Sequence, residues 1–257
     1  MSLKQYDQIL KESIIQKLTQ KNIYFEKDDT LENLLINYLN VINRTIISIP
    51  RRVYISDNIN KIIKKHKLNE EYIKIIFKFK YNFEKGIDMN GHLSTNIYYS
   101  NLLIKNKNKR GYRRSRDYLL DDWGIYHLHL NNKDAKNEKE MHNNRSKYLL
   151  FVKIAHNAVY FIDIYNHNEK NIFSKQELLE ILDRNWHFLL KSYIISNLSS
   201  VSRMTDEEIE NSRKKHAYTL VNINGKVYLP IGGGLTSAGT NIKHTQQADF
   251  ILNKKNI

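Results

Sequence analysis

Two histidines spaced two residues apart dominate what this sequence can do chemically. In Gly124-Ile125-Tyr126-His127-Leu128-His129-Leu130, apolar and polar residues alternate, which predicts a short β-strand. Successive strand side chains point to opposite faces, so His127 and His129 share one face while Tyr126, Leu128 and Leu130 share the other. The expectation is an apolar set in a core and two imidazoles facing a surface or groove. Imidazoles titrate near neutrality, which suits proton transfer or metal ligation. Arg145 precedes the next two predicted strands and His167 ends them, so acid–base and cationic groups are expected together on one small sheet.

Two further segments carry candidate chemistry. Lys105 to Arg116 holds seven cations and no acid, and Lys109, Arg110, Arg113, Arg114 and Arg116 fall within eight residues around Tyr112. Such a run binds phosphates and offers a ring for stacking, or else is a solvated basic loop. Gly232-Gly233-Gly234-Leu235-Thr236-Ser237 lies between a predicted strand and a predicted helix. Its amides and the hydroxyls of Thr236 and Ser237 suit a phosphate at a helix N-terminus; a flexible connector fits equally well. The order of residues is neither a P-loop nor a dinucleotide fingerprint, which excludes those nucleotide-binding devices.

These groups need a scaffold, and 257 residues at 41% hydrophobic can supply one. The absence of cysteine excludes disulfides, thiolate zinc sites and a cysteine nucleophile. The N-terminal residues do not read as a secretory signal, and no apolar run reaches the ~18–20 residues of a membrane span, so a soluble, cytoplasmic protein is expected. A net charge of +14 favours polyanionic partners, although part of the lysine excess fits AT-rich coding.

The first hundred residues read as a helical region (1–100). Ile9, Ile14 and Leu18 mark one amphipathic helix, and Leu31, Leu34, Leu35, Leu39 and Ile42 a second with Thr30 as N-cap. Ile46–Ile49 reads as extended before Pro50, Asp57 as the cap of a helix to Lys65, and Asn69 as the cap of another to about Glu84. Residues 101–257 read as an α+β catalytic domain. Strands are expected at about 125–131, 147–155 and 158–164, the last two joined by a tight turn at His156-Asn157. Helices follow, capped by Ser174 and near Thr205, then a hairpin around Asn224-Gly225 and a last helix at about 241–253. The fold class expected is α+β: a helical N-terminal region followed by an antiparallel β-sheet with flanking helices. His66, His92 and His156 read as surface or turn residues, and Trp123 and Trp186 as packing anchors.

The strand run from Gly124 to Leu130, the run opening Arg145-Ser-Lys147-Tyr148-Leu149, and the run ending Asn166-His167-Asn168-Glu169-Lys170 together resemble the central sheet of the RelE/HigB-type bacterial ribonuclease toxins. The resemblance spans residues 124–170 and rests on pattern. The chain is more than twice the length usual for that family, and paired histidines are not its usual residues. It implies a metal-independent endoribonuclease of the toxin or phage-defence kind, in which the 2′-OH attacks the adjacent phosphorus and leaves a 2′,3′-cyclic phosphate. On that reading His127 or His129 is the base and His167 the acid, with Arg145 and Lys153 or Lys170 clamping phosphate. The partners implied are RNA, free or on the ribosome, and an acidic antitoxin or inhibitor protein. No cofactor and no membrane partner is expected. Two other classes compete: a non-catalytic nucleic-acid-binding protein, and a metal-dependent phosphodiesterase with His127 and His129 joined by Asp163 or His167.

Overall fold

Apolar residues at helical spacing draw helices from both ends of the chain into one unit, while strand alternation builds a sheet in another. A computed structural model describes residues 3–20, 25, 26, 28–94, 103–105, 112–114, 117–133, 135, 140, 145–196, 198, 201–215, 217, 220–236 and 240–253. One unit comprises residues 1–45, 96–117 and 235–257, the other 46–95 and 118–234. A division at residue 100 does not coincide with these units, because residues 46–95 build on the same sheet as the histidine strand.

In the first unit, α1 (Leu3–Gln20), α2 (Leu31–Ile42) and α8 (Ile242–Asn253) bury Ile14, Leu18, Leu34, Leu35, Leu39 and Ala248 together. Thr30 starts α2 as expected, its hydroxyl accepting the Asn33 N–H at 3.2 Å. The same unit holds an antiparallel ribbon of β2 (Leu103–Lys105) and β3 (Tyr112–Arg114). Arg113 and Arg114 of the basic run therefore lie on a strand.

The second unit is α+β. Its mixed sheet has the order β1 (Arg52–Ile55), β6 (Ala158–Asn166), β5 (Tyr148–Ile154), β4 (Ile125–His129). The antiparallel expectation holds for β4–β5–β6; β1 is an addition, lying parallel on β6. A parallel pair needs a long connection, and here α3 (Asp57–Lys64), α4 (Glu70–Lys85), β4 and β5 all fall between the two strands. Residues 46–49 form no strand. Ser56, not Asp57, caps α3: its Oγ accepts the Ile59 N–H at 3.1 Å and donates to the Ile162 carbonyl at 2.6 Å. Asp57 is the first helical residue, bridged by Arg184. Asn69 caps α4 as expected. The β5–β6 turn closes at His156-Asn157, where the Ala155 N–H meets the Ala158 carbonyl at 2.8 Å, with neither turn residue at positive φ.

Both faces of the sheet are covered. On one, Ile125, Leu149, Phe151 and Ile162 pack with Leu178, Leu179, Ile181 and Leu182 of α6 (Glu177–Trp186). On the other, Phe83 of α4 meets Phe161 with centroids 6.0 Å apart. Ser174 does not cap α6 but lies in a 3₁₀ turn (Ile172–Ser174), and Gln176 precedes the helix. Thr205 and Glu208 form a reciprocal capping box on α7 (Asp206–Lys214). Asn224 (φ +52°) and Gly225 (φ +79°) turn β7 (Val221–Ile223) into β8 (Lys226–Tyr228), the backbone that an Asn-Gly hairpin requires. No helix among the described residues is long and apolar enough to cross a membrane.

The glycine-rich segment serves this packing. Gly232 and Gly234 donate to the carbonyls of Asp122 (2.7 Å) and Asp121 (3.0 Å) at the end of α5 (Tyr118–Trp123), and Gly233 donates to Pro230 (3.0 Å). These amides satisfy the carbonyls that a helix end leaves without partners. A Cβ on Gly232 would lie 2.4–2.6 Å from Leu120 O, Asp121 O and Gly124 N. Gly232→Ala should therefore lower stability by about 1–3 kcal/mol, read from the urea midpoint. An unchanged midpoint would contradict this close approach.

Candidate functional site

β4 presents its histidines at the edge of the sheet, paired on one side to β5. Gly124, at φ +62°, carries the chain from α5 into β4 at a point where a Cβ would lie 2.5 Å from Lys153 Nζ. Ile125, His127 and His129 then share a face, opposite Lys153, Phe151 and Leu149 of β5. That face does not open to a surface or groove: His127 and His129 are 6% and 7% exposed. Over His127 lies the 172–174 turn, whose Phe173 ring is 4.9 Å from the imidazole, with Phe151 behind at 6.3 Å, while His129 lies against the ring of His167.

Four residues singled out in the sequence come together here. The His129 ring stacks on that of His167 at 5.6 Å and 21°, and the His127 ring is 6.4 Å from that of His129. Strand register brings this about. His129 lies opposite Leu149, Leu149 opposite Tyr165, and the His167 N–H donates to Lys147 O at 2.8 Å just past the end of β6. Ser146 fixes the entry to β5, its N–H donating to His129 Nδ1 at 3.3 Å and its hydroxyl to Leu130 O at 2.5 Å. The adjacent Arg145 is exposed, and its charge acts on both His129 and His167.

Burial, followed by the charges of His127, His167, Arg145 and His92, pushes His129 down to about 3. His167, half-buried, is also held below the ordinary histidine value, by burial first and then by His127 and Arg145. At pH 7 both are neutral. Accepting the Ser146 N–H at Nδ1 assigns the proton of neutral His129 to Nε2. The arrangement is a set of neutral imidazoles beside a guanidinium, each resisting further positive charge. An anion entering it would relieve that repulsion and draw protons onto the rings.

The remaining candidates lie elsewhere. Lys153 is four residues from Leu149 on β5, roughly 13 Å along the strand, and its Nζ donates to the Trp123 carbonyl at 3.1 Å. Lys170 forms an exposed ion pair with Glu207 at 2.8 Å. Thr236 belongs to the other unit, where its hydroxyl bonds that of Thr240 at 2.8 Å and accepts the Thr240 N–H. Arg113 and Arg114 lie on β3 in that unit; Lys109, Arg110, Arg116 and Ser237 fall outside the described residues. Asp163 is buried, accepts from Asn58 Nδ2 at 3.2 Å and from the Ile164 N–H, and has its carboxyl pushed up by burial. Phe151 lies between it and His127 in the strand register. No group of three or more His, Asp or Glu among the described residues is arranged to hold a metal ion.

His92 is the residue that sequence reading missed. It is fully buried, with its ring 4.4 Å from that of Phe79 and Nδ1 3.1 Å from Asn131 Oδ1, and its charge bears on His129. A histidine in the polar run Asp88-Met89-Asn90-Gly91-His92 carries no periodicity that would signal burial. Compared with known protein families, with characterised proteins and with solved structures, the chain matches none.

The depressed His129 value has a consequence for stability. Unfolded, this histidine takes up a proton near pH 6.5; folded, it resists until about pH 3. The stability it contributes is complete above pH 6.5 and is lost as the pH falls below that, by up to about 1.4 kcal/mol per pH unit. Urea unfolding at pH 7 and pH 5 should show a smaller loss for His129→Gln than for the unmodified chain. Equal losses would contradict the assignment.

Proposed function

We propose that this chain is a metal-independent ribonuclease acting where His129, His167 and Arg145 converge. The observation that carries the reading is that convergence: residues from three separate strand ends supply imidazoles and an exposed guanidinium at one corner of a rigid sheet. Cleavage by 2′-OH attack needs a base, a proton donor for the departing 5′-oxygen and a cation for the phosphorane charge. His167 is neutral and the most accessible imidazole, and serves as the base. Arg145 suits two phosphate oxygens at once. His129, too weak a base to take the 2′-proton and with Nδ1 engaged by the Ser146 N–H, offers its Nε2–H to a phosphate oxygen, and the proton that His167 takes from the 2′-OH passes on to the departing 5′-oxygen. The resemblance of residues 124–170 to the RelE/HigB-type sheet supports the same chemistry and, with it, a toxin or phage-defence role. A net charge of +14 supports RNA as substrate and an acidic protein as inhibitor.

The burial of His127 and His129 favours a second reading, a corner that binds nucleic acid without turning it over. Total cellular RNA in excess EDTA separates the two. The ribonuclease reading predicts cleavage with 2′,3′-cyclic phosphate ends, and a loss of about 10²-fold or more in His167→Ala and in Arg145→Ala. RNA left intact, with or without restored Mg²⁺, Mn²⁺ or Zn²⁺, would move the conclusion to the binding protein.

A further inference from the structure

The opposite end of β6 carries a feature that the proposed chemistry does not use. Tyr160 lies seven residues before His167, roughly 23 Å along the strand. Its ring is stacked on that of Tyr54 from β1 at 5.3 Å and 13°. On its other flanks, Trp186 closes α6 with centroids 5.0 Å away, and Phe188 follows at 6.1 Å. Tyr160 itself is 6% exposed, whereas Tyr54 and Phe188 are 42% and 64% exposed. Four rings thus form a continuous array, anchored in the protein at its centre and open to solvent at both ends. Buried aromatics are ordinary core; two large rings left this open on either flank of a buried one are not.

The charges around the array favour one kind of occupant. Arg52 is exposed and, two residues before Tyr54 on β1, shares its face; Lys191 is exposed three residues after Phe188. The nearest carboxylate along α6, Asp183, is taken up by Tyr228 and His187. A hydrophobic protein partner would leave these cations without purpose, and a duplex would hide its base faces from the rings. Single-stranded nucleic acid meets both, with bases stacking on the open rings and phosphates facing the cations.

We propose that Tyr54, Tyr160, Trp186 and Phe188, with Arg52 and Lys191, form a stacking platform for single-stranded RNA or DNA, distinct from the histidine corner. The platform does not require that corner to be catalytic, and its test is independent of cleavage. Fluorescence anisotropy with a labelled 15-nucleotide oligo-deoxyuridine strand measures binding to a ligand that lacks the 2′-OH and cannot be cut. Tyr54→Ala/Phe188→Ala should bind at least about tenfold more weakly with an unchanged salt slope, because stacking and not charge is removed. Tyr54→Phe/Phe188→Trp should bind as the unmodified protein does, and Arg52→Ala should reduce the salt slope by about one. Both open rings lie at the surface, so the alanine variants should fold. A loss below twofold in the double alanine variant would overturn the proposal. So would self-association of the unmodified chain, seen by sedimentation and abolished by the same variant.

Discussion

The buried ion pair between Arg213 and Asp122 ties together the parts that hold the histidines. From α7, the guanidinium donates through Nε to Asp122 Oδ2 at 2.8 Å and through Nη1 to the Phe173 carbonyl at 2.6 Å, while stacking 4.1 Å above the Trp123 ring. Both charges are almost fully withdrawn from water. Removing one partner of such a pair typically costs about 3–5 kcal/mol, far more than an exposed pair such as Lys170–Glu207 is worth. One cation therefore joins the end of α5, which launches β4, to the turn whose Phe173 roofs His127. The glycine segment closes the same helix end from the other side. The position of the histidine face is a consequence of this junction.

The roof sets the electrostatics. Desolvation is the largest influence on both His129 and His167, and the neighbouring positive charges reinforce it. An open strand face would leave each histidine near its ordinary value. Buried as they are, His129 and His167 stay neutral at pH 7 and respond to an arriving anion. Arg145, outside the roof, keeps its charge in water and is free to meet that anion first. A steep contrast between buried imidazoles and one exposed guanidinium over a few residues is the main chemical asset of the corner.

Much of this was legible in the sequence where the determining interaction is local. Alternation in Ile125–Leu130 and the apolar runs after Arg145 placed β4, β5 and β6, and Thr30, Asn69, Thr205 and Asn224-Gly225 marked helix starts and a turn. Register then brought His127, His129, Arg145 and His167 together. What escaped depends on distant partners. Arg52–Ile55 is four residues long, and it is a strand only because β6 offers it a parallel edge. Phe173 covers His127, His167 stacks on His129, and the use of the glycine amides comes from carbonyls at Asp121 and Asp122. His92 gave no periodic signal at all. In each case a partner distant in the sequence, and not the local pattern, decided the outcome.

The most direct test of a neutral, anion-responsive histidine corner is an NMR titration of the imidazole C–H resonances, with and without uridine 3′-phosphate. The account predicts that His129 and His167 titrate below 6.5 in the free protein and that both midpoints rise when the nucleotide binds. Midpoints near 6.5 that the nucleotide leaves unmoved would contradict it.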